Sequence, residues 1–307
     1  MNQNKGIQMK LIDLQVNGYM GVDFSSPHLT ESDFSNACLK MVKHGVTAFL
    51  PTIVTSSEKL YERNLQLIAK AAEKSELKKH ILGIHAEGPF ISCKPGAVGA
   101  HNPKFTKKPD IEFLKKMQDW AQGKIKILTL AAELPNAEKL CKYACKNNIS
   151  VFLGHQSAEL SDLDKLADAG AKAITHLGNG MPNMVNRHNN ILQYALACDK
   201  LSATIITDGH HLPAHLIKTI IKAKGIDKIA IISDASPIAG MPPGKYNILG
   251  NNAVLEKNGL LHNPKKECLV GSSATLVECV KFLQSISLLT KQQIIRVVHD
   301  NPMILIS

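Results

Sequence analysis

The stretch Ile81-Leu82-Gly83-Ile84-His85-Ala86-Glu87-Gly88-Pro89 carries the first decision about the fold. A short run rich in β-branched residues closes on two ionisable groups and then on a Gly-Pro turn. The same shape recurs in Ile149–Leu153 before Gly154-His155, in Ala171–Ile174 before Thr175-His176, and in Ile229–Ile232 before Ser233-Asp234. Runs of four to eight apolar residues without alternation are the mark of buried parallel strands. Ionisable residues just past the ends of several such strands are how a (β/α)₈ barrel assembles a site at one face.

The rest of the chain keeps that rhythm. Strands are expected at Lys10–Gln15, Thr47–Pro51, Ile81–His85, Ile125–Ala131, Ile149–Leu153, Ala171–His176, Ser202–Thr207 and Lys228–Ser233. Amphipathic stretches such as Leu29–His44, Glu58–Lys74, Ile111–Gln122, Ala137–Asn147, Ser161–Ala169 and Ala214–Ala223 lie between them. The pattern predicts an α/β fold, a TIM-like (β/α)₈ barrel over residues 10–307 with C-terminal helices, preceded by an extension over residues 1–9. The open doubly wound alternative lacks a G-x-G-x-x-G opening a helix. Phe90–Pro109, Gly178–Asn190 and Ala235–Glu256 read as long loops leaving the C-terminal ends of strands. Ser272–Leu283 and Lys291–Val298 read as two closing helices, with Gly271-Ser272-Ser273 as turn and N-cap of the first.

Composition narrows the class. Of the 307 residues, 44% are apolar and 20% charged, ordinary for a globular domain. The net charge of +10 raises nucleic acid as a partner. The lysines, however, come in scattered pairs (Lys78-Lys79, Lys107-Lys108, Lys115-Lys116, Lys265-Lys266) with few aromatics to stack on bases. They read as solvated helix faces whose field favours an anionic small molecule. No run of about 18 apolar residues predicts a membrane span, and the N-terminus lacks the apolar core of a secretory signal. Seven widely spaced cysteines suit reduced thiols, so a cytoplasmic location is expected. Cys141 and Cys145 stand four apart on a helix, but no second ligand pair accompanies them for a zinc site.

Glu87, His155 and His176 supply one carboxylate and two imidazoles, a donor set for a catalytic metal with an open position for water. A divalent metal lowers the pKa of bound water to about 7, and a nearby carboxylate must then carry the proton to the leaving group. Asp234 is placed for that. The bland alternative, strand-end polar residues capping helices or loop backbone, serves for any one of these residues and poorly for all four in one register. His85 shares the side of its strand with Glu87 and competes for a ligand slot or supports the loop. Gln15 and Asn17 are amides where two-metal sites end the first strand in His-x-His, and amides are poor ligands, so one metal is expected.

In order along the chain stand Asp13-Leu14-Gln15-Val16-Asn17-Gly18, His85-Ala86-Glu87-Gly88-Pro89-Phe90, Gly99-Ala100-His101-Asn102-Pro103, Gly154-His155, Thr175-His176-Leu177-Gly178-Asn179-Gly180-Met181-Pro182, Asp208-Gly209-His210-His211, Ser233-Asp234-Ala235 and Gly271-Ser272-Ser273. This ordered set, from Leu11 to about Met303, resembles the N-acetylglucosamine-6-phosphate deacetylase family of the amidohydrolase superfamily. The resemblance implies hydrolysis of the acetamide of N-acetyl-D-glucosamine 6-phosphate to glucosamine 6-phosphate and acetate. It implies Glu87, His155 and His176 as ligands of one divalent metal, zinc first, with iron, cobalt or manganese suited by the same donors. Asp234 is then the acid/base, and His101 the donor to the acetyl carbonyl or its oxyanion. Asn179 and Gly180 form the loop that meets the phosphate, with Arg187 and His211 as basic contacts. A homodimer, with the site near its interface, is implied as well. Other outcomes stay open: an amidohydrolase for another N-acyl sugar or cyclic amide, or a non-catalytic relic.

Three positions depart from the family pattern: Gly180 where Ala is typical, Gly178 where an aromatic is frequent, and Gln156 where Ser commonly follows the histidine. Relatives also carry a small β-sandwich built from both chain ends. Only about ten residues precede the first strand here, so that domain is expected to be nearly absent.

Overall fold

The apolar runs pair side by side as their sequence predicts. In the computed structural model, which describes residues 9–307, eight strands form one sheet in sequential order, every neighbouring pair parallel. They are β1 (Ile12–Val16), β2 (Ala48–Val54), β3 (Ile84–Glu87), β4 (Ile125–Leu130), β5 (Ser150–Leu153), β6 (Ala173–Ile174), β7 (Ser202–Ile206) and β8 (Ile229–Ile232). Most of the predicted extension lies outside the described residues. The sheet curls until β8 returns to β1. Asp13 closes the seam by accepting from the Ser233 amide (3.1 Å) and hydroxyl (2.5 Å), and the Asn17 amide donates to the Ala235 carbonyl at 2.8 Å.

Helices fill the connections: α1 (Glu31–His44), α2 (Glu58–Ala71), α3 (Ile111–Trp120), α4 (Ala137–Lys146), α5 (Leu160–Asp168), α6 (Ile191–Ala197) and α7 (Ala214–Lys224). Their boundaries follow local chemistry. Thr30 caps α1 by accepting from the Asp33 amide, and Gly45 at φ 126° stops it. The main core lies between sheet and helices, and a second, smaller one fills the barrel. Ile12, Leu14, Leu50, Ile127, Phe152, Ile206 and Ile232 form that inner layer.

Period 2 then changes the chemistry one step up each strand. Above Ile127 stands Thr129, above Ala173 stands Thr175, and above Ile232 stands Asp234, so an apolar floor gives way to a polar mouth at the C-terminal ends.

Four expectations need correction. β6 is two residues long rather than spanning Ala171–His176, because the backbone turns at Thr175 to aim His176 inward. The Ala235–Glu256 segment is no plain loop: β9 (Gly244–Ile248) and β10 (Asn251–Leu255) form a hairpin that β11 (Leu261–Asn263) and β12 (Cys268–Leu269) extend into an antiparallel sheet. That sheet has its own core of Ile238, Ile248, Ala253, Leu255, Leu261 and Val270. Helix α6, between β6 and β7, went unforeseen. At the C-terminus the cap of α8 (Leu276–Ser285) is Thr275, in a capping box with Glu278, rather than Ser272 or Ser273. Beyond it, α9 (Lys291–Ile295) passes through one π turn (Arg296–Asp300) into α10 (Asn301–Ile306). Leu305 of α10 plugs the bottom of the barrel, its carbonyl accepting from Ser150 Oγ at 2.7 Å.

Candidate active site

Three strand exits aim side chains at one point. Glu87 ends β3 and points inward with the parity of His85. His155 and His176 follow β5 and β6 on backbone with φ of 50° and 33°, a left-handed conformation costly for residues bearing a Cβ. Asp234 after β8 has φ 51°. Strain of this kind concentrates at functional positions because the surrounding fold must hold it.

Glu87 Oε1 lies 3.2 Å from His155 Nε2 and 3.0 Å from His176 Nε2, and the two nitrogens are 3.1 Å apart. All three residues are buried. His155 Nδ1 donates to the Ala97 carbonyl at 2.9 Å, which leaves the Nε2 lone pair facing the other two donors. Such a triangle has too few protons to satisfy itself. Its edges approach the roughly 3.3 Å expected between ligands of a tetrahedral metal at 2.0–2.1 Å. The donor set therefore fits a divalent cation, and it is the one such group among the described residues.

His101 is the fourth member. Its Nδ1 accepts from the Thr55 amide at 3.3 Å, so Nε2 carries the proton, 3.1 Å from His155 Nε2 and 3.7 Å from Glu87 Oε2. Burial, then the adjacent His155, pushes the His101 pKa down to about 3, so the ring is a neutral N–H donor. Glu87 is lowered well below the usual carboxylate range: burial opposes ionisation, but the adjoining imidazoles of His155 and His176 prevail.

Asp234 Oδ1 accepts from Asn17 Nδ2 at 2.7 Å and Gln15 Nε2 at 3.0 Å, and Gln15 Nε2 also reaches Glu87 Oε1 at 2.8 Å. The amides at the end of β1 thus orient two carboxylates. Burial and the charge of Glu87 raise the Asp234 pKa, the direction suited to a group that takes and returns a proton. His85 does not join the cluster. Its Nδ1 meets the Leu14 carbonyl at 3.0 Å and its Nε2 Thr129 Oγ1 at 2.8 Å, so it is a strut beneath the site, and burial lowers its pKa to about 4.

Asn17, Glu87, His101, His155 and His176 line a cavity of about 620 Å³. His211, Asn179 and Gly180 line it, and Asn179 Nδ2 and Asn17 Oδ1 are buried without partners there. Arg187 is not brought in. It is exposed on the Gly178–Asn190 loop, and only its carbonyl is engaged, by Gln193 Nε2 at 3.1 Å. No Lys or Arg lines the cavity among the described residues. The sequence reading missed Leu249, Glu267 and Leu269 from the small sheet, which wall one side. It also left out Asp208, which holds His211 and was visible only as part of the quoted Asp208-Gly209-His210-His211 run.

Donors of this type at the C-terminal mouth of an eight-stranded parallel barrel define a class: barrel proteins whose strand ends can hold a divalent metal. The chain belongs to the amidohydrolase family, whose model matches residues 9–258. It is 32% identical over 248 residues to the N-acetylglucosamine-6-phosphate deacetylase of Bacillus subtilis, covering 80% of this chain and 62% of the relative. To that of Lysinibacillus sphaericus it is 30% identical over 261 residues, covering 85% and 66%. It thus spans slightly less than two thirds of these relatives' length. The solved N-acetylglucosamine-6-phosphate deacetylase of Pasteurella multocida superposes with a TM-score of 0.87 at 27% identity, covering 97% of this chain and 76% of the other.

Proposed function

We propose that this protein hydrolyses the acetamide of N-acetyl-D-glucosamine 6-phosphate to glucosamine 6-phosphate and acetate. The observation that carries this reading is the Glu87–His155–His176 triangle, with a neutral N–H donor on one side and a proton-accepting carboxylate on the other. Glu87, His155 and His176 hold one divalent ion, zinc first, with iron, cobalt or manganese compatible. When bound, such an ion polarises a carbonyl and acidifies water. Asp234 takes the proton of the attacking water and returns it to the amine nitrogen as the C–N bond breaks. His101 Nε2–H donates to the carbonyl oxygen as negative charge grows there. Asn179, Gly180 and His211 receive the phosphosugar, with Arg187 supplied by loop closure or by a second copy in a homodimer. The barrel over residues 10–307 is one domain, and a cytoplasmic location is supported by seven cysteines without a disulfide.

A second reading, an amidohydrolase for an uncharged N-acyl sugar, is favoured by the cavity's lack of Lys and Arg. Acetate release from N-acetylglucosamine with and without the 6-phosphate, before and after chelation, separates the two. Chelator-sensitive turnover selective for the phosphorylated sugar supports the first reading. Faster turnover of the uncharged sugar supports the second, and no turnover of either sugar, with metal bound, overturns both.

A further inference from the structure

The small antiparallel sheet after β8 brings a buried amide to the wall of the cavity. The turn between β9 and β10 is two residues long, Leu249 and Gly250, both in left-handed backbone with φ of 48° and 70°. It sets Asn251 opposite Ile248 at the start of β10. Leu249 and Gly250 line the cavity, as do Ala100 and His101 on the loop after β3. Asn251 does not line it; its side chain lies behind that wall, and the residue is only 2% exposed.

Every hydrogen-bonding position of the Asn251 amide is used. Nδ2 donates to the Ala100 carbonyl at 2.9 Å and to the Leu249 carbonyl at 2.8 Å. Oδ1 accepts from Asn263 Nδ2 at 3.1 Å and from Lys266 Nζ at 2.7 Å. Two donors and two lone pairs are the full capacity of an amide, so its orientation is fixed. Asn263, itself buried, is held by the backbone amides of Lys265 and Lys266, which donate to its Oδ1 at 3.0 and 3.3 Å. The Lys266 ammonium draws charge toward the Asn251 oxygen and strengthens the N–H bond to Ala100.

Ala100 directly precedes His101, and their segment is gripped from two sides. On one side, His155 Nδ1 donates to the Ala97 carbonyl at 2.9 Å. A Cβ on Gly99 would stand 3.2 Å from His155 Cε1, so the backbone already lies against that ring. On the other side, Ala100 packs on the core of the small sheet with Leu249 and Tyr246, and Asn251 holds its carbonyl. The His101 ring has one weak anchor of its own, the Thr55 amide at 3.3 Å from Nδ1. Where Nε2 stands is therefore set by the backbone that Asn251 holds.

We propose that Asn251, braced by Lys266, is a positioning residue for His101: it ties the Ala100 carbonyl to the small sheet and so keeps the His101 Nε2–H aimed over the Glu87–His155–His176 triangle. The oxyanion role of His101 rests on the deacetylase reading. Through Asn251, a sheet outside the barrel strands takes part in placing a group at the reacting centre.

The test is Asn251→Asp, which keeps the shape of the side chain and can pair with Lys266 but cannot donate to the Ala100 carbonyl. Misplacing a reacting group by about 1 Å costs on the order of 10²-fold. On N-acetylglucosamine 6-phosphate, kcat is therefore expected to fall about ten- to hundredfold, with KM changed less than about threefold. In a His101→Ala background the same substitution should cost less than about twofold, because the donor it positions is gone. Hydrogen–deuterium exchange of the metal-loaded protein gives a readout that needs no turnover. The Gly99 and His101 amides are bonded to the Gly96 and Val98 carbonyls, and Asn251→Asp should speed exchange on peptides spanning them several-fold. A wild-type protein with metal bound and no turnover defeats the deacetylase reading, and exchange then decides alone: faster exchange supports the proposal and unaltered exchange overturns it. With turnover present, an unchanged kcat, additive losses with His101→Ala, or a larger change in KM than in kcat overturns it. Should Asn251→Asp fail to fold, Lys266→Met carries the comparison: kcat should fall and exchange quicken, and unaltered values of both overturn the proposal.

Discussion

Gln15 Nε2 stands 2.8 Å from Glu87 Oε1 and 3.0 Å from Asp234 Oδ1, so one amide at the end of the first strand orients both a candidate ligand and the candidate proton carrier. An amide that donates to carboxylates cannot serve as a cation ligand through the same nitrogen. The contact explains how a barrel with a one-metal donor set uses the position. Gln15→Ala should lower metal affinity about 10–100-fold, the usual effect of removing a partner that orients a ligand. Competitive chelator titration measures it, and unchanged affinity argues that Glu87 is held by its strand alone.

Burial and then the adjacent His155 keep His101 neutral, and the Thr55 amide donating to Nδ1 places its proton on Nε2. His101→Ala should reduce kcat about 10²–10³-fold with a smaller change in KM, as loss of an oxyanion donor does. A larger effect on KM than on kcat would assign His101 to binding instead.

Burial raises the Asp13 pKa from 3.8 to about 7, its hydrogen bonds to Ser233 and Gln15 opposing. The folded state therefore keeps a proton that the unfolded state has lost between those values. With more protons bound in the native state, stability must fall as pH rises from about 4 to about 7. The span of roughly three units corresponds to at most about 4 kcal/mol. Asp13→Asn should flatten that slope, seen as Tm against pH from 4.5 to 8. An unaltered slope removes Asp13 from the account.

Leu305 closes the floor of the barrel against Ile12, Ile127 and Phe152. Leu305→Ala should cost about 2–5 kcal/mol in denaturant unfolding. A loss under about 0.5 kcal/mol means that α10 does not seal the inner core.

Much of this was legible in the chain, for reasons tied to particular residues. The strands expected at Ile81–His85 and Lys228–Ser233 exist, the first starting three residues later at Ile84–Glu87 and the second as Ile229–Ile232, and they were legible because parallel strands are buried on both faces and end in polar groups at one rim. Glu87, His155 and His176 could be singled out because three residues of metal-ligand type at three strand exits are hard to explain as caps. The small sheet was not legible: Gly244–Leu269 is rich in Gly, Asn and Lys, and its short strands gain stability from Ile238 and Val270 at a distance. Strand β6 was overextended because periodicity cannot show that His176 turns to positive φ. Arg187 was assigned by motif, but a loop residue's position depends on what closes over it, and here it is exposed and does not line the cavity.

In the proposed mechanism Asp234 moves the proton beside one metal held by Glu87, His155 and His176. The most direct measurement is acetate release from N-acetylglucosamine 6-phosphate by wild type and Asp234→Asn, with metal content quantified in both. About one divalent ion per chain is expected in each protein, with the rate lowered about 10²–10⁴-fold by the substitution. Equal rates at equal metal content would contradict it.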